Sequence, residues 1–255
     1  MMTPAAARAV SDVLQPVYGL EGGPRTLASA VYHRLRADVL ACRCRPGEKL
    51  LIGSIAKNFA VSAVAVREAL SRLVADGLVV VEDQRGFRVS ALSLSDLKDV
   101  THTRIELECL ALRRSIARGD DAWRAALRKA WEDLDAAPHL VPGEDRHHEN
   151  WSLMHGRFHE ALVSACGLDW LLRFRKTLFE QSERYRRLGL AVMRTRANAG
   201  RDTRGEHLRI YQAAMRGDAE AAAAGLAGHF ERTARLIMDA YPDQGQSQAL
   251  SSKSK

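Results

Sequence analysis

The sequence predicts a mainly α-helical protein in two parts: an N-terminal winged helix-turn-helix with a small β-hairpin wing, and a C-terminal all-α antiparallel helical bundle. Three observations predict it. Val61–Val80 reads VSAVAVREALSRLVADGLVV, and its Val66, Ala69, Leu70, Leu73 and Val74 recur at the spacing of one apolar helix face. A shorter amphipathic stretch, Ile52–Phe59, precedes it across the two-residue turn Ala60-Val61, and a β-hairpin pattern follows it. From Ser93 onward the apolar runs keep helical spacing, punctuated by Gly167, Gly200 and Gly217, with no strand pattern.

Taken in order, residues 1–25 carry Ala, Gly, Pro and scattered polar residues and read as a mobile arm. Leu27–Leu40 is amphipathic, with Val31, Leu35 and Leu40 inward and Arg34 and Arg36 outward. Pro46-Gly47 makes a turn, and Leu50-Leu51 reads as a short edge strand. Ser62 is the expected N-cap of the second helix of the pair, supplying an oxygen to the free amides of the first turn. Asp76-Gly77 ends that helix. Leu78–Val81 and Phe87–Val89 then flank Glu82–Gly86, a hairpin tip with glycine where positive φ costs least. In such a module the second helix lies in the major groove, and Arg85 at the wing tip is placed to reach a minor groove or a phosphate. Residues 26–92 form this first domain.

The second domain spans 93–241. Its expected helices are Ser95–Ala117 with Ser95 as cap, Asp121–Ala137, Glu149–Ala165, Leu168–Leu190, Arg204–Met215 and Ala219–Ala240. Pro138–Gly143 is a loop, and the polar Ser/Gln-rich tail over 242–255 reads as disordered.

Composition narrows the function. A chain of 255 residues with 46% hydrophobic and 27% charged residues is ordinary for a globular protein of two domains. The net charge of +7 fits an anionic partner, and residues 1–92 hold 12 Lys and Arg against 8 Asp and Glu, a net of +4. No run approaches the ~18 apolar residues needed to cross a bilayer, and the N-terminus lacks the apolar core of a secretory signal. Four irregularly spaced cysteines suit a reduced cytoplasm. Cys42-Arg43-Cys44 has the wrong gap for a zinc knuckle and no second pair.

Four of the nine histidines lie on apolar helix stripes. His155 and His159 are at i and i+4, on a face shared with Trp151, Phe158, Leu162 and Cys166. His207 shares a stripe with Ile210 and Ala214, and His229 with Leu226, Phe230 and Ile237. A polar group buried without a partner costs ~1–3 kcal/mol, so each ring needs a hydrogen bond or a shared metal ion. An all-imidazole set suits zinc, nickel, copper or iron. A zinc hydrolase is the poorer reading. His155–His159 is HGRFH, with Gly156 where HExxH carries its general base, and no GxSxG or Walker loop is present.

PGEKL before the helix pair, VREAL in the second helix, DGLV entering the wing, RGFRVS in the wing and SLSDL opening the second domain stand together in one order. On these residues the chain resembles the GntR superfamily of bacterial regulators over about residues 27–239. The likeness is to its FadR-like branch with a C-terminal FCD domain, and within that to the CsiR/GlaR type. The resemblance implies a dimeric repressor that binds double-stranded DNA at a palindromic operator and is relieved by a small organic acid. Ser62, Val64, Arg67, Arg72, Arg85 and Gly86 are the DNA-binding candidates. Arg67 is foremost, because a guanidinium binds guanine O6 and N7 bidentately; a phosphate contact or a helix salt bridge is its other reading. The chain departs from the family's usual Ser-Arg-Thr-Pro: here the segment is Ser62-Ala63-Val64-Ala65, with Gly53 and Ala60 also unusual.

In the second domain the resemblance maps His159, His207 and His229 onto the family's metal ligands, with His155 replacing an acid. A divalent transition metal, zinc first, is the implied cofactor. Arg104, Arg184, Tyr185 and Arg186 are the implied effector contacts. The other cations of the fourth helix, including Arg175, are expected on a solvated face. A metal-ion sensor of the same fold, responding to the ion itself, is the alternative.

Overall fold

The computed structural model describes residues 26–137, 145–196 and 201–240. The expected arm over 1–25, the loop over 138–143, Gly200 and the tail over 242–255 lie outside the described residues. The elements are α1 (Leu27–Leu40), β1 (Lys49–Leu50), α2 (Ile52–Phe59), α3 (Ala63–Ala75), β2 (Val79–Glu82) and β3 (Gly86–Val89). After them come α4 (Leu94–Arg118), α5 (Asp121–Ala136), α6 (Asp145–Val163), α7 (Asp169–Arg196), α8 (Thr203–Met215) and α9 (Ala219–Ala240). Mainly helical, with one small sheet, is the architecture the patterning predicts.

Two compact units result. The first takes in residues up to Asp96 together with Glu183–Leu190 of α7, and the second holds 97–182 and 191–240. In the first, α1, α2 and α3 close on a core of Val31, Leu35, Val39, Ile55, Val66, Leu70 and Leu73. Val39, rather than Leu40, is the inward residue at the end of α1. Ser62 Oγ accepts from Ala65 N at 3.2 Å, so α3 is capped as its sequence predicts. The turn before it passes through Ala60 at φ 51°, a left-handed position filled here without glycine. The sheet is antiparallel in the order β1-β3-β2, with Leu50 facing Phe87 and Glu82 facing Gly86. Arg88 ties the wing down: it donates to Glu82 at 2.9 Å and to the Gly47 carbonyl at 2.6 Å.

Several boundaries differ from expectation. Ser93, not Ser95, caps α4, its Oγ accepting from Asp96 N at 3.1 Å, so the helix begins one residue earlier than predicted. The first wing strand begins at Val79 rather than Leu78. α6 begins at Asp145 and α7 runs on to Arg196, since neither added end contains a glycine or proline to break the helix.

The second unit is built of antiparallel helices around Leu112, Leu127, Trp131, Phe158, Leu162, Ile210 and Leu226. Asp120 caps α5 through Trp123 N at 2.8 Å, and Trp123 Nε1 donates to the Ala161 carbonyl at 2.9 Å, locking α5 onto α6. A Cβ at Gly119 would stand 2.1 Å from the Trp123 ring, so the α4–α5 turn requires glycine. No described helix is long and apolar enough to cross a membrane.

Leu70 is fully buried and Val64 is 71% exposed on the same helix. Leu70→Ala is expected to destabilise the protein by about 2–5 kcal/mol. Val64→Ala is expected to stay within about 0.5 kcal/mol of the parent. Urea unfolding followed by circular dichroism measures both, and equal midpoints would contradict the packing of α3.

Candidate functional site

The second unit brings the four histidines to one point. Each of His155, His159, His207 and His229 offers a ring nitrogen, and the four atoms lie within 4.8 Å of one another. All four rings are buried. His155 and His159, one turn apart on α6, bring their Nε2 atoms to 3.1 Å, and the His207 and His229 ring centroids from α8 and α9 are 4.4 Å apart. Trp151, one turn before His155, stacks on it at 4.6 Å between centroids. The i, i+4 spacing aims the first two rings, and the antiparallel packing of α8 on α9 supplies the others.

Second-layer contacts orient the rings. His229 Nδ1 lies 2.8 Å from Glu206 Oε2. With its proton directed to that carboxylate, the ring presents its Nε2 lone pair, the arrangement that orients metal-binding imidazoles. Glu206 also accepts from Arg201 Nη2 at 2.7 Å and from Arg232 Nε at 2.7 Å. Burial opposes ionisation of Glu206, but its bonds from His229, Arg201 and Arg232 hold its carboxyl well below the usual range. Burial, then the charges of His207, His229, Arg104 and Arg175, pushes His159 well below its ordinary value. Burial also lowers His229, against the pull of Glu206. Both shifts favour the neutral form of His159 and of His229, the form that offers a lone pair.

Beside the rings lies a buried charge cluster. Arg104 Nε donates to Glu108 Oε1 at 3.1 Å and its Nη1 to Ser182 Oγ at 2.6 Å, while its guanidinium lies 3.9 Å over the Phe230 ring. Arg175 Nε donates to Glu108 Oε2 at 2.9 Å. Two buried cations thus share the Glu108 carboxylate. A cavity of about 450 Å³ reaches His207; its described lining includes Trp131, Trp151, Arg201 and Arg204.

In the first unit, Ser62, Val64 and Arg67 line the exposed side of α3, opposite buried Val66, Ala69 and Leu70. Arg85 and Gly86 are exposed at the wing tip, where Gln84 and Gly86 both take positive φ.

The description of bacterial regulatory proteins of the gntR family matches residues 27–89, and the FCD domain matches residues 99–232, more than half of the chain. The chain belongs to the GntR family of bacterial regulators and carries an FCD domain. It is 39% identical to the HTH-type transcriptional regulator BphR of Paraburkholderia xenovorans over 214 residues, covering 84% of this chain and 86% of that one. It is 35% identical to the HTH-type transcriptional repressor GlaR of Escherichia coli over 161 residues, 61% and 70% of the two chains. In fold it is similar to a GntR regulator from Rhodococcus sp. RHA1, with a TM-score of 0.67 at 24% identity over 84% of this chain and 98% of that one. It is likewise similar to E. coli McbR/YncC, with a TM-score of 0.68 at 20% identity over 85% and 99%. This regulator is a DNA-binding transcription factor, and its relatives are regulators rather than enzymes.

Of the effector residues the sequence singled out in this regulator, the structure brings Arg104 alone to the imidazoles' surroundings. Arg184, Tyr185 and Arg186 fall in the first unit, where other partners hold them. Arg184 donates to the Ser90 carbonyl at 2.6 Å, Tyr185 donates to Asp96 and accepts from Ser93 N, and Arg186 pairs with Glu183 at 2.6 Å. Arg175, Arg184 and Arg186 are buried, not on a solvated face, because each finds an acceptor inside. Arg72 departs from the exposed side of α3: its guanidinium lies 3.9 Å over the Tyr32 ring, and Tyr32 donates to Asp76 at 2.6 Å. The cysteines are free, and Cys42 donates to the Arg184 carbonyl at 3.5 Å. Sequence reasoning missed Glu108, Arg175, Glu206 and Arg201. Two signals pointed to the glutamates: Arg104 and Glu108 are an i, i+4 pair on an apolar stripe, and Glu206 adjoins His207; none pointed to Arg175 or Arg201.

Removing the Glu108 carboxylate leaves two buried guanidiniums without their shared counter-charge. Glu108→Ala is expected to cost about 3–5 kcal/mol. Glu220→Ala, which breaks the exposed pair with Arg113, is expected to leave the midpoint close to that of the parent. Thermal unfolding of the two variants compares them, and similar losses would refute the asymmetry.

Proposed function

We propose that this regulator is a repressor whose FCD domain holds one divalent transition-metal ion on His155, His159, His207 and His229 and, beside it, a small organic acid that relieves repression. The convergence of four buried imidazoles carries the reading. Ligands of one ion at about 2.0–2.1 Å stand at most about 4.2 Å apart, so the observed spread closes on an ion with small side-chain adjustments. Among the described residues His159 Nδ1 has no hydrogen-bond partner, a buried polar atom that a bound ligand would satisfy. Zinc fits first, and nickel, iron and copper share the preference for imidazole.

When bound, the ion supplies Lewis-acid attraction for a carboxylate oxygen. The chain's own residues do the rest. Glu206 fixes the His229 tautomer, and Trp151 walls His155. Four neutral ligands cancel none of the ion's charge, and Arg104 and Arg175 add to it, which favours an anion. The cavity reaching His207 has the volume for a small acid such as a dicarboxylate.

On the DNA side, two copies of this chain would present one α3 each to the half-sites of a palindrome, with Ser62, Val64 and Arg67 toward base edges and Arg85 and Gly86 at the backbone or minor groove. The acid changes operator affinity only by favouring one arrangement of the two reading heads over another.

Metal analysis of purified protein tests the centre. His159→Ala is expected to lose the ion and the response to acids while keeping operator affinity; full metal occupancy in that variant would refute the site. Operator binding titrated with metal, then with acids at fixed metal, separates the effector reading from its rival. A response to the ion alone identifies a metal-ion sensor.

Arg67→Ala is expected to weaken specific operator binding by about 1–3 kcal/mol without unfolding the protein, measured by fluorescence anisotropy. Unchanged affinity would remove Arg67 from the base contacts.

A further inference from the structure

The first turn of α3 is unusual in what it shows to solvent. Val64 is the most exposed of the large hydrophobic side chains among the described residues, at 71%. It cannot be turned inward, because Val66, Ala69 and Leu70 on the opposite side of α3 are fully buried in the core of the first unit. Ser62 fixes the start of the helix through its bond to Ala65 N, so the position of Val64 is set by the cap. Its exposed neighbours are Ser62 and Ala63 before it, Arg67 at i+3 and Glu68 at i+4. The first turn itself, Ala63–Val66, carries no side chain able to read a base edge by hydrogen bonds.

What remains is a methyl surface. In the major groove each base pair presents a distinct pattern, and thymine alone among the four bases adds an apolar group, its C5-methyl. A β-branched side chain suits such a contact, because its χ1 is already restricted and little rotamer freedom is lost on docking. We propose that Val64 reads a thymine methyl group in each operator half-site, as an apolar contact beside the polar readout of Arg67. The inference rests on the docking of α3 proposed above and adds the base class that its first turn selects. The partner is a B-form duplex bearing thymine at a fixed position in each half-site.

The test uses the full-length protein and a duplex that it selects from a random-sequence pool. Each thymine of that duplex is replaced singly by deoxyuridine, which keeps base pairing and the O4 acceptor and removes only the methyl. One position per half-site is expected to weaken wild-type binding about four-fold, the worth of burying one methyl group. Val64→Ala is expected to bind the thymine and uracil duplexes alike at that position. Arg67→Ala is expected to bind both more weakly and keep their ratio. The proposal is overturned if no uracil substitution weakens binding by more than about two-fold, or if Val64→Ala keeps the wild-type ratio. Selection of a duplex with no thymine in the half-site overturns it as well. Recovery of no preferred duplex would refute sequence reading by α3 altogether, a separate outcome that takes the Val64 contact with it. The urea midpoint of Val64→Ala shows whether any loss of binding comes from unfolding.

Discussion

Two glutamates matching buried cations and imidazoles set the terms for the second unit. Glu108 stands between the guanidiniums of Arg104 and Arg175, and Glu206 stands between His229, Arg201 and Arg232. A helical interior does not tolerate such groups unmatched, since the desolvation of a charge exceeds what packing alone returns. Each glutamate therefore constrains several helices at once. Glu108 joins α4 to α7, and Glu206 joins α8 to α9 and to Arg201 before α8. Of the four imidazoles, His229 is oriented directly by one of these carboxylates, while helical spacing and packing place the others.

The two carboxylates serve the surroundings of the rings differently. One carboxylate answers two arginines beside His159, and the carboxylate that holds His229 bonds to its outer nitrogen, leaving its charge away from the centre. The cavity that reaches His207 is walled by Trp131 and Trp151 and lined by side chains of both charges, Arg201 and Arg204 with Asp135 and Asp202.

The first unit solves a different problem. Its reading helix must offer one side to a duplex while the other supports a core only a few residues deep. Val66, Ala69, Leu70 and Leu73 perform the second task and leave Ser62, Val64 and Arg67 exposed on the other side. The wing is held by Arg88 through Glu82 and the Gly47 carbonyl, so its tip residues are free of structural duty. Arg72 and Arg184 illustrate the reverse case. Both are cations near functional segments, and both are occupied, one by an aromatic ring and the other by a backbone carbonyl.

Periodicity and capping alone determined the elements. The apolar spacing of α3, the Ser62 cap, the Gly86 turn and the run of helices after Ser93 were legible because each depends on contacts within a few residues. The inward aim of His155, His159, His207 and His229 was legible for the same reason, since a helical stripe assigns a side without knowing what lies opposite. The tertiary structure decided what those stripes meet. Burial of Arg175, Arg184 and Arg186, the choice of Glu108 and Glu206 as counter-charges, and the transfer of Glu183–Leu190 to the first unit depend on residues far apart in the chain. Sequence spacing carries no record of such meetings, because the electrostatic and packing terms that select them exist only once the helices are side by side.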